Sequence, residues 1–372
     1  MVVGAFGNYE GMTTPEVDLT EIKTIGQVIA RAREVLDPEL FTWAASGAGV
    51  EVTVSRNARA LSALALIPRL MMDVSSVDIS SSFLGVPLQI PVMMAPVGAL
   101  ALYHPADAKA SGEGAAHAGT SVFCGILGDQ PWEEVAATAP GRHFFQMYVL
   151  GDRDWLGSVI ERVESGGFAG ICLTADTPAI ARRDSNLAGG YDWNIYHGDG
   201  PANLRDLGFD PEFKGRFTWT DLEWLIEATS LPLILKGVMS AADAVRAVDS
   251  GVQGIYVSNH GGRAFDHGLS PMEVLAEIVE AVDGRAEVIV DSGFTRGAEV
   301  CKALALGARA VAIGRLQCWA LAIGGAEGVE KVLEILRQEM LLTMANLGCR
   351  NVDDLTADMV RWSMPIEPGS SS

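Results

Sequence analysis

An apolar segment followed by a helical segment recurs eight times between residues 89 and 350 of this chain. The apolar segments have the length and composition of buried strands, and the segments after them place apolar residues at helical spacing. The predicted strands end near Ala95, Cys124, Tyr148, Ala175, Lys236, Ser258, Asp291 and Gly314. The predicted helices cover about 105–119, 131–139, 152–166, 219–229, 240–250, 270–283, 296–307 and 327–346.

This alternation predicts an α/β protein in which parallel strands are joined by right-handed crossovers. Eight strand–helix units are the number that closes a (β/α)8 TIM barrel. A doubly wound open sheet is the alternative, but no glycine-rich fingerprint opens the first predicted helix to support it. We therefore expect a barrel whose eight strand ends meet at one mouth.

The barrel pattern divides the chain into three parts. Residues 1–88 are expected to form an N-terminal arm, helices and a small hairpin that pack on the barrel. Residues 89–350 form the catalytic barrel, and residues 351–372 form a C-terminal tail. The connection after the fourth strand, residues 176–217, is unusually long, and we expect it to cover the mouth as a partly mobile lid.

Two local signals define the predicted N-terminal helices. Asp18 or Thr20 is expected to cap the first helix, because short polar side chains accept hydrogen bonds from the free amides there. Pro38 suits the first turn of the second helix, where no backbone N–H is needed.

Composition excludes several classes of function. The 372 residues carry a net charge of −20, which argues against nucleic-acid partners and anionic membranes. No apolar run approaches the roughly 18 residues that span a bilayer, and the N-terminus lacks a signal-peptide pattern. The five cysteines lack metal-ligand spacing, so we expect no metal site and the reduced thiols of a cytoplasmic protein.

The end of the sixth predicted strand carries the densest chemistry. Ser258-Asn259-His260-Gly261-Gly262-Arg263 combines a hydroxyl, an imidazole and a guanidinium with two glycines that allow close approach of a ligand. His260 is the candidate general base, and Asp176 at the fourth strand end is the candidate to orient it. Tyr148 is placed to bond a substrate oxygen.

Two arginines at the predicted mouth suit an acidic substrate. Arg183 and Arg263 can each bind a carboxylate through two parallel hydrogen bonds. Arg182 is expected to be their solvated or structural neighbour.

The other strand-end residues predict a phosphorylated flavin. The loops after the seventh and eighth strands have the character of a phosphate site, and neutral polar groups with one lysine suit a heterocycle's edge. The candidate cofactor-binding residues are Pro96, Val97, Gly98, Gly125, Gln146, Tyr148, Thr174, Lys236, Ser258, His260, Asp291, Ser292, Gly293, Phe294, Thr295, Gly314 and Arg315. A base and a carboxylate-binding pair beside a flavin would remove a proton and two electrons from a 2-hydroxy acid.

Residues 20–350 resemble the FMN-dependent α-hydroxy acid oxidases and dehydrogenases, which include glycolate oxidase, lactate oxidase, lactate 2-monooxygenase and mandelate dehydrogenase. The segment from Ser258 to Arg263 is the most specific match. Supporting matches are Phe144-Phe145-Gln146-Met147-Tyr148, Leu173-Thr174-Ala175-Asp176-Thr177-Pro178 with Arg183, Leu235-Lys236-Gly237, Asp291-Ser292-Gly293 and Ile313-Gly314-Arg315. Asn8-Tyr9-Glu10 is closest to the lactate oxidase and monooxygenase branch.

The resemblance implies FMN as cofactor and His260 as the base, with catalytic roles for Asp176, Tyr148, Arg183 and Arg263. It implies that Trp43, Tyr148, Arg183, His260 and Arg263 bind the substrate, a 2-hydroxy acid. Lys236 would lie near the flavin N1–C2 carbonyl and favour the reduced anion. Molecular oxygen or another acceptor would reoxidise the flavin, and a homotetramer or octamer is expected.

The chain departs from the family pattern around the expected substrate. Trp43 stands where members commonly have a tyrosine, and an indole N–H can donate a hydrogen bond but cannot accept one. Gly125 and Val97 replace residues that commonly carry hydroxyls, and Thr295 precedes Arg296 where an arginine is usual. We therefore expect a remodelled pocket around an intact redox centre.

Three alternatives to a peroxide-forming oxidase remain at this point. The reduced enzyme could decarboxylate its own product, as lactate 2-monooxygenase does, or pass electrons to a quinone or protein as a dehydrogenase. A non-redox isomerase or aldolase acting on a phosphorylated metabolite would use the same barrel and phosphate site. That last alternative leaves the segment from Ser258 to Arg263 unexplained.

Overall fold

The computed structural model describes residues 17–189, 202–205, 207–210 and 215–364. Its strands are β1 (Leu64–Leu66), β2 (Ser81–Phe83), β3 (Val86–Leu88), β4 (Val92–Met94), β5 (Phe123–Gly125), β6 (Phe144–Met147), β7 (Gly170–Thr174), β8 (Leu233–Val238), β9 (Gly254–Val257), β10 (Glu287–Val290), β11 (Ala310–Ile313) and β12 (Val360–Trp362). Its helices are α1 (Ile25–Val35), α2 (Pro38–Ala45), α3 (Val52–Ala63), α4 (Asp107–His117), α5 (Trp132–Ala136), α6 (Arg153–Ser165), α7 (Asp184–Gly189), α8 (Ala202–Arg205), α9 (Trp219–Ala228), α10 (Ala241–Ser250), α11 (Pro271–Val282), α12 (Gly297–Ala305) and α13 (Arg315–Leu347).

Eight parallel strands form a barrel. Their order is β4-β11-β10-β9-β8-β7-β6-β5, and neighbouring strands in this order pair in parallel. A parallel bridge between Met94 and Val122, with the Met94 N–H donating to Ser121 O at 3.0 Å, joins β4 to β5 and closes the circle. The predicted (β/α)8 TIM barrel is confirmed, and each predicted strand end lies within two residues of an observed one.

The barrel interior is filled by alternate residues of each strand, because successive strand side chains point to opposite faces. Phe123, Phe144 and Tyr256 pack inside with ring centroids 5.2 to 5.3 Å apart. The β2–β3 hairpin, which lies in the segment predicted to form one, inserts the fully buried Phe83 against the same cluster. Aromatic side chains therefore fill the barrel interior. The polar residues that lie two positions further along the strands are at the carboxyl end of the barrel.

The first N-terminal helix begins later than predicted, and the second begins as predicted. Thr24 caps α1: its side chain accepts from Gln27 N–H, and the Gln27 side chain accepts from Thr24 N–H at 3.1 Å. This reciprocal capping box satisfies two free amides at once. Asp18 instead accepts hydrogen bonds from its neighbour Thr20, so the expected cap at these two residues was wrong. Pro38 does occupy the first turn of α2, as predicted.

The C-terminal part also differs from expectation. The last helix begins at Arg315, directly after β11, and not near residue 327; its backbone breaks at Gly324 and Gly325 and then continues to Leu347. Within the predicted tail, β12 pairs antiparallel with β1. The C-terminal segment therefore packs back on the N-terminal region.

The long connection after β7 contains two short helices, α7 and α8, among its described residues. Asn203 of α8 is buried, and its amide donates to Gly128 O at 2.9 Å and Gln130 O at 2.8 Å. These bonds attach the connection to the loop after β5. Residues 190–201, 206 and 211–214 of the predicted lid lie outside the described residues, as do Asn8-Tyr9-Glu10.

Candidate active site

A cavity of about 840 Å³ opens at the carboxyl end of the barrel. That volume lies within the range of about 300–1,000 Å³ typical of small-molecule and cofactor sites. The predicted site residues that line it are Trp43, Pro96, Val97, Gly98, Tyr148, Arg183, Lys236, His260, Arg263, Asp291, Ser292, Gly293, Phe294, Thr295, Gly314 and Arg315. The barrel topology thus brings together residues that are up to 272 positions apart in the chain, from Trp43 to Arg315.

Four predicted cofactor residues do not line the cavity. Gly125, Gln146, Thr174 and Ser258 are buried at the carboxyl ends of their strands, just below the lining residues. The Gln146 side-chain amide donates to Thr174 Oγ1 at 2.8 Å. This hydrogen-bonded pair orients the polar layer beneath the cavity.

His260 and Asp176 form a hydrogen-bonded pair. His260 Nδ1 lies 2.9 Å from Asp176 Oδ1, and this contact leaves Nε2 as the ring nitrogen that can accept a proton. Burial would raise the pKa of Asp176, but the charges of His260 and Lys236 and the His260 hydrogen bond lower that pKa overall. Asp176 is therefore a carboxylate at neutral pH and stabilises a positive charge on His260.

The backbone around His260 is strained. His260 has a φ of +58°, and Gly261 and Gly262 follow with φ of +64° and +74°. A non-glycine residue in this region costs on the order of 1–3 kcal/mol, so other contacts must hold it. The His260 N–H donates to Ser258 Oγ at 3.0 Å, and the Gly261 N–H donates to Ser292 Oγ at 3.1 Å.

Lys236 is a buried cation shared by two carboxylates. Its Nζ donates to Ser258 Oγ at 3.0 Å and lies 3.8 Å from both Asp176 Oδ2 and Asp291 Oδ2. Burial would lower the pKa of Lys236, but these two carboxylates raise it above its ordinary value. The side chain is 2% exposed and stays protonated, so it presents a fixed positive charge at the cavity floor.

Helices α2 and α3 hold the loop that carries His260. Asn57 of α3 and Asn259 exchange side-chain hydrogen bonds at 3.0 and 2.7 Å. The Asp266 carboxylate accepts from Val50 N–H at 3.0 Å and Thr53 N–H at 2.8 Å, at the N-terminus of α3. That helix has no side-chain cap of its own, so Asp266 caps it from the catalytic loop.

Two predicted arginines lie against the C-terminal end of α2. Arg263 Nη1 donates to Trp43 O, Ala44 O and Ser46 O at 2.9 to 3.0 Å. The Arg315 guanidinium donates to Ala44 O at 3.0 Å and to Ser46 O at 2.9 Å, and also to the Gly261 carbonyl. One end of each guanidinium is therefore occupied by backbone oxygens at the end of the helix, where the dipole favours positive charge.

Arg183 completes a group of three cations at the mouth. Its Nε is buried without a hydrogen-bond partner. Burial, followed by the charges of Arg263 and Arg315, lowers the pKa of Arg183 to about 9. Burial and Arg263 likewise lower the pKa of Arg315 to about 10. All three stay charged at neutral pH, and an anion in the cavity would relieve their mutual repulsion.

Arg182 and the residues that depart from the family pattern lie in different parts of the site. Arg182 is exposed and pairs with Asp184 at 3.0 Å, as expected for a solvated neighbour. Trp43 is buried in α2 and lines the cavity, with the Arg263 guanidinium 5.0 Å from its ring centroid. Arg296 stands at the N-cap position of α12 without a side-chain capping bond and pairs with Glu339 at 2.8 Å, whereas Thr295 lines the cavity.

Sequence reasoning missed several lining residues. Asn57, Tyr103, Leu127, Ile180, Leu187 and Trp319 also line the cavity. Tyr103 follows β4 and packs edge-on against Trp319, with centroids 6.3 Å apart. Burial raises the pKa of Tyr103 well above its ordinary value, so it is a neutral hydroxyl near the arginines. Its closeness to the end of the first barrel strand was the signal that could have identified it.

The residues present fit the predicted flavin mononucleotide. Among the described residues the buried Arg183 Nε, in a side chain that lines the cavity, has no hydrogen-bond partner, which marks the mouth as a site for a polar or anionic ligand. The fixed charge of Lys236 lies at the floor, and Gly293 and Gly314 line the wall without side chains. A lysine cation at the cavity floor and glycine-containing loops on the cavity wall suit a heterocycle that carries a phosphate.

The described residues lack the features of two other classes of site. No group of three or more His, Cys, Asp or Glu side chains there is arranged to hold a metal ion. No described helix combines the length and apolar character that crossing a bilayer requires. The five cysteines are all buried and unpaired.

Comparison with known proteins identifies the family. The model of the family described as FMN-dependent dehydrogenase matches residues 32–362. An L-lactate oxidase of Nostoc sp. is 38% identical over 343 residues, which cover 87% of this chain and 94% of the relative. A peroxisomal (S)-2-hydroxyacid oxidase of Arabidopsis thaliana is 36% identical over 357 residues, covering 92% and 97%.

A solved structure agrees with these relatives. Mandelate oxidase with benzoyl-formic acid superposes with a TM-score of 0.84 at 35% identity, and covers 93% of this chain and 100% of that one. The family match spans most of the chain, and the barrel, the His260–Asp176 pair and the cavity lie within it. The chain therefore belongs to the FMN-dependent dehydrogenase family and is an oxidoreductase whose cofactor is FMN.

Proposed function

We propose that the chain oxidises a 2-hydroxy acid to the corresponding 2-keto acid, with FMN as the electron acceptor in the first half-reaction. The observation that carries the proposal is the His260–Asp176 pair in a cavity that also contains Arg183 and Arg263. A base beside cations suits a substrate with an ionised carboxylate and a hydroxyl on the adjacent carbon. The names of the relatives, which are lactate, 2-hydroxyacid and mandelate oxidases, support the same chemistry.

The carboxylate is bound by Arg183 and by the free end of Arg263. The Arg183 Nε is buried without a partner, so a carboxylate oxygen would satisfy it. The backbone oxygens at the end of α2 occupy Nη1 of Arg263 and fix its orientation. Two guanidiniums held in this way orient the substrate with its α-carbon toward the flavin.

His260 takes the proton in the oxidation. Its Nε2 accepts the proton, and Asp176 stabilises the resulting imidazolium through the 2.9 Å contact to Nδ1. FMN, when bound, accepts the two electrons that leave the α-carbon. Tyr148 lines the cavity and is proposed to bond the substrate oxygen. Trp43 forms part of the substrate wall.

The remaining site residues would hold FMN. Lys236 would lie near the N1–C2 carbonyl edge, and its fixed positive charge favours a negative charge there. Gly98, Val97, Pro96 and the layer of Gly125, Gln146, Thr174 and Ser258 would support the ring. The loops after β10 and β11, with Asp291, Ser292, Gly293, Phe294, Thr295, Gly314 and Arg315, would hold the ribityl chain and phosphate.

Molecular oxygen is the proposed second acceptor, with hydrogen peroxide as product. The relatives named oxidases favour this outcome over a quinone or protein acceptor. The test is to mix FMN-loaded protein with a panel of 2-hydroxy acids under anaerobic conditions and follow flavin absorbance. At least one acid should bleach the flavin, and air should restore it with one peroxide formed per keto acid.

Three results would each contradict part of this proposal. If every acid leaves the flavin oxidised, the substrate class is wrong. If carbon dioxide and a shortened acid replace peroxide, the enzyme is a decarboxylating monooxygenase. Bleaching that air does not reverse, but a quinone does, would make it a dehydrogenase.

We also propose a cytoplasmic homo-oligomer, a tetramer or octamer, without nucleic-acid or membrane partners. The net charge of −20 argues against nucleic-acid and anionic-membrane partners. The absence of metal-type cysteine spacing suits the reduced thiols of a cytoplasmic protein, whereas the Arabidopsis relative above is named as peroxisomal. Light scattering at several protein concentrations measures the assembly, and a monomer at all of them would contradict it.

A further inference from the structure

Arg183 is flanked by two apolar side chains that are unusually exposed. Ile180 is 69% exposed and Leu187 is 55% exposed, and both line the same cavity as Arg183. The Leu187 N–H donates to Arg183 O at 3.1 Å, which places Leu187 one helical turn beyond the arginine. Large apolar groups at the edge of a binding cavity mark a surface that a ligand covers.

This segment has a fixed position beside the end of α2. The Gly49 N–H donates to Arg182 O at 2.8 Å, and the Asp184 N–H donates to Gly49 O at 3.2 Å. The Ser46 hydroxyl donates to the buried Asn186 side chain at 3.2 Å. Ile180 and Leu187 are therefore held next to the helix end that positions Arg263, so the apolar surface adjoins the proposed carboxylate site.

Other parts of the cavity lining are also apolar. Leu127 lies in the loop after β5, and Trp43 lies in α2. The Asn57 amide, which also lines the cavity, is already engaged with Asn259. A substrate bound through Arg183 and Arg263 would therefore present the rest of its carbon chain to aliphatic and aromatic groups.

We propose that the substrate is a 2-hydroxy acid with an apolar side chain of at least three carbons, and that Ile180 and Leu187 determine this preference. The proposal rests on the proposed function, because it assumes that Arg183 binds the carboxylate of that acid. The side chain of the substrate covers Ile180 and Leu187 and removes their surface from water. Glycolate, which has no side chain, gains nothing from them.

A homologous series tests this on the FMN-loaded wild-type chain. Glycolate, lactate, 2-hydroxybutanoate and 2-hydroxyhexanoate are compared by the rate constant and the apparent Kd of anaerobic flavin reduction. Burial of each added methylene should raise the rate constant divided by the apparent Kd by about fourfold, until the apolar surface is covered. A flat or falling series, with glycolate still reducing the flavin, overturns this inference and leaves the proposed function intact.

Variants then assign the preference to residues. Ile180→Ser and Leu187→Ser should each raise the apparent Kd of 2-hydroxyhexanoate by about tenfold, because each removes most of an apolar side chain that the bound substrate would cover. The apparent Kd of glycolate should change by less than about twofold. Phe265→Ser is the matched control, because Phe265 is 70% exposed but does not line the cavity. Equal losses for both acids, or the same loss in the control, contradict the assignment. If no acid in the series reduces bound FMN, both proposals fail.

Discussion

Asp176→Asn isolates the electrostatic part of the proposed proton transfer. The substitution keeps the shape of the side chain and an oxygen that can accept from His260 Nδ1, now 2.9 Å away. It removes the negative charge that stabilises the imidazolium. Two unit charges about 4 Å apart interact by about 4 kcal/mol at an effective dielectric constant of about 20. We therefore expect the rate constant of flavin reduction to fall by about a thousandfold.

The variant should fold, because Lys236 keeps Asp291 as a partner at 3.8 Å. Thermal denaturation checks the fold, and FMN fluorescence quenching checks the cofactor. Stopped-flow absorbance under anaerobic conditions then gives the rate constant of reduction with a saturating 2-hydroxy acid.

Asp184→Asn provides the matched control on the same connection. Asp184 is exposed and pairs with Arg182 on the surface, so its substitution should change the rate constant by less than about twofold. A loss of less than tenfold in Asp176→Asn, with FMN bound, would refute the claim that Asp176 stabilises a charged His260. A similar loss in Asp184→Asn would show that the effect is not specific to the pair.

Three further predictions concern stability. Asp266→Ala removes the cap that the catalytic loop gives α3 and should cost about 1 kcal/mol, seen as a fall in the urea midpoint; an unchanged midpoint would exclude the capping role. In Gly114→Ala the new Cβ would overlap Ala326 O and should destabilise by more than about 2 kcal/mol, whereas Gly157→Ala has open space in α6 and should stabilise by up to about 1 kcal/mol. The pKa of Asp176 is lowered on folding, so its contribution is complete above an unfolded pKa of about 4 and is lost as the pH falls through the folded value. Asp176→Asn should therefore flatten the acid limb of the stability–pH curve measured by urea denaturation below about pH 5, and an unchanged limb would contradict this sign.

The barrel could be predicted from sequence because its signal is periodic and local. Each strand is a short apolar run, and its end is marked by polar or glycine residues, so the order and the ends follow without any contact information. The same logic placed His260 and Asp176 at one mouth, although 84 positions separate them. Topology alone makes strand ends neighbours.

The parts that escaped prediction depend on side-chain contacts between distant segments. The reciprocal pair of Asn57 and Asn259 joins residues 202 positions apart, and no local pattern marks either amide as the other's partner. The guanidinium of Arg315, which is predicted to bind the FMN phosphate, also donates to the carbonyls of Ala44 and Ser46, and no sequence pattern indicated these contacts. They depend on the end of α2, which the sequence of the eighth strand does not contain.

These contacts change which part of the chain counts as the active site. The strand β9 delivers His260 to the mouth, but strand geometry does not hold its left-handed backbone. The Ser258 and Ser292 hydroxyls at the barrel strand ends accept from the His260 and Gly261 N–H groups. Further contacts on the same loop come from α2 and α3, through Asn57 to Asn259 and through Asp266, and from the carbonyls that bind Arg263. Because these further bonds are made with residues before the first barrel strand, we infer that the N-terminal helices help to fix the loop that carries the base, and that the barrel does not hold it alone.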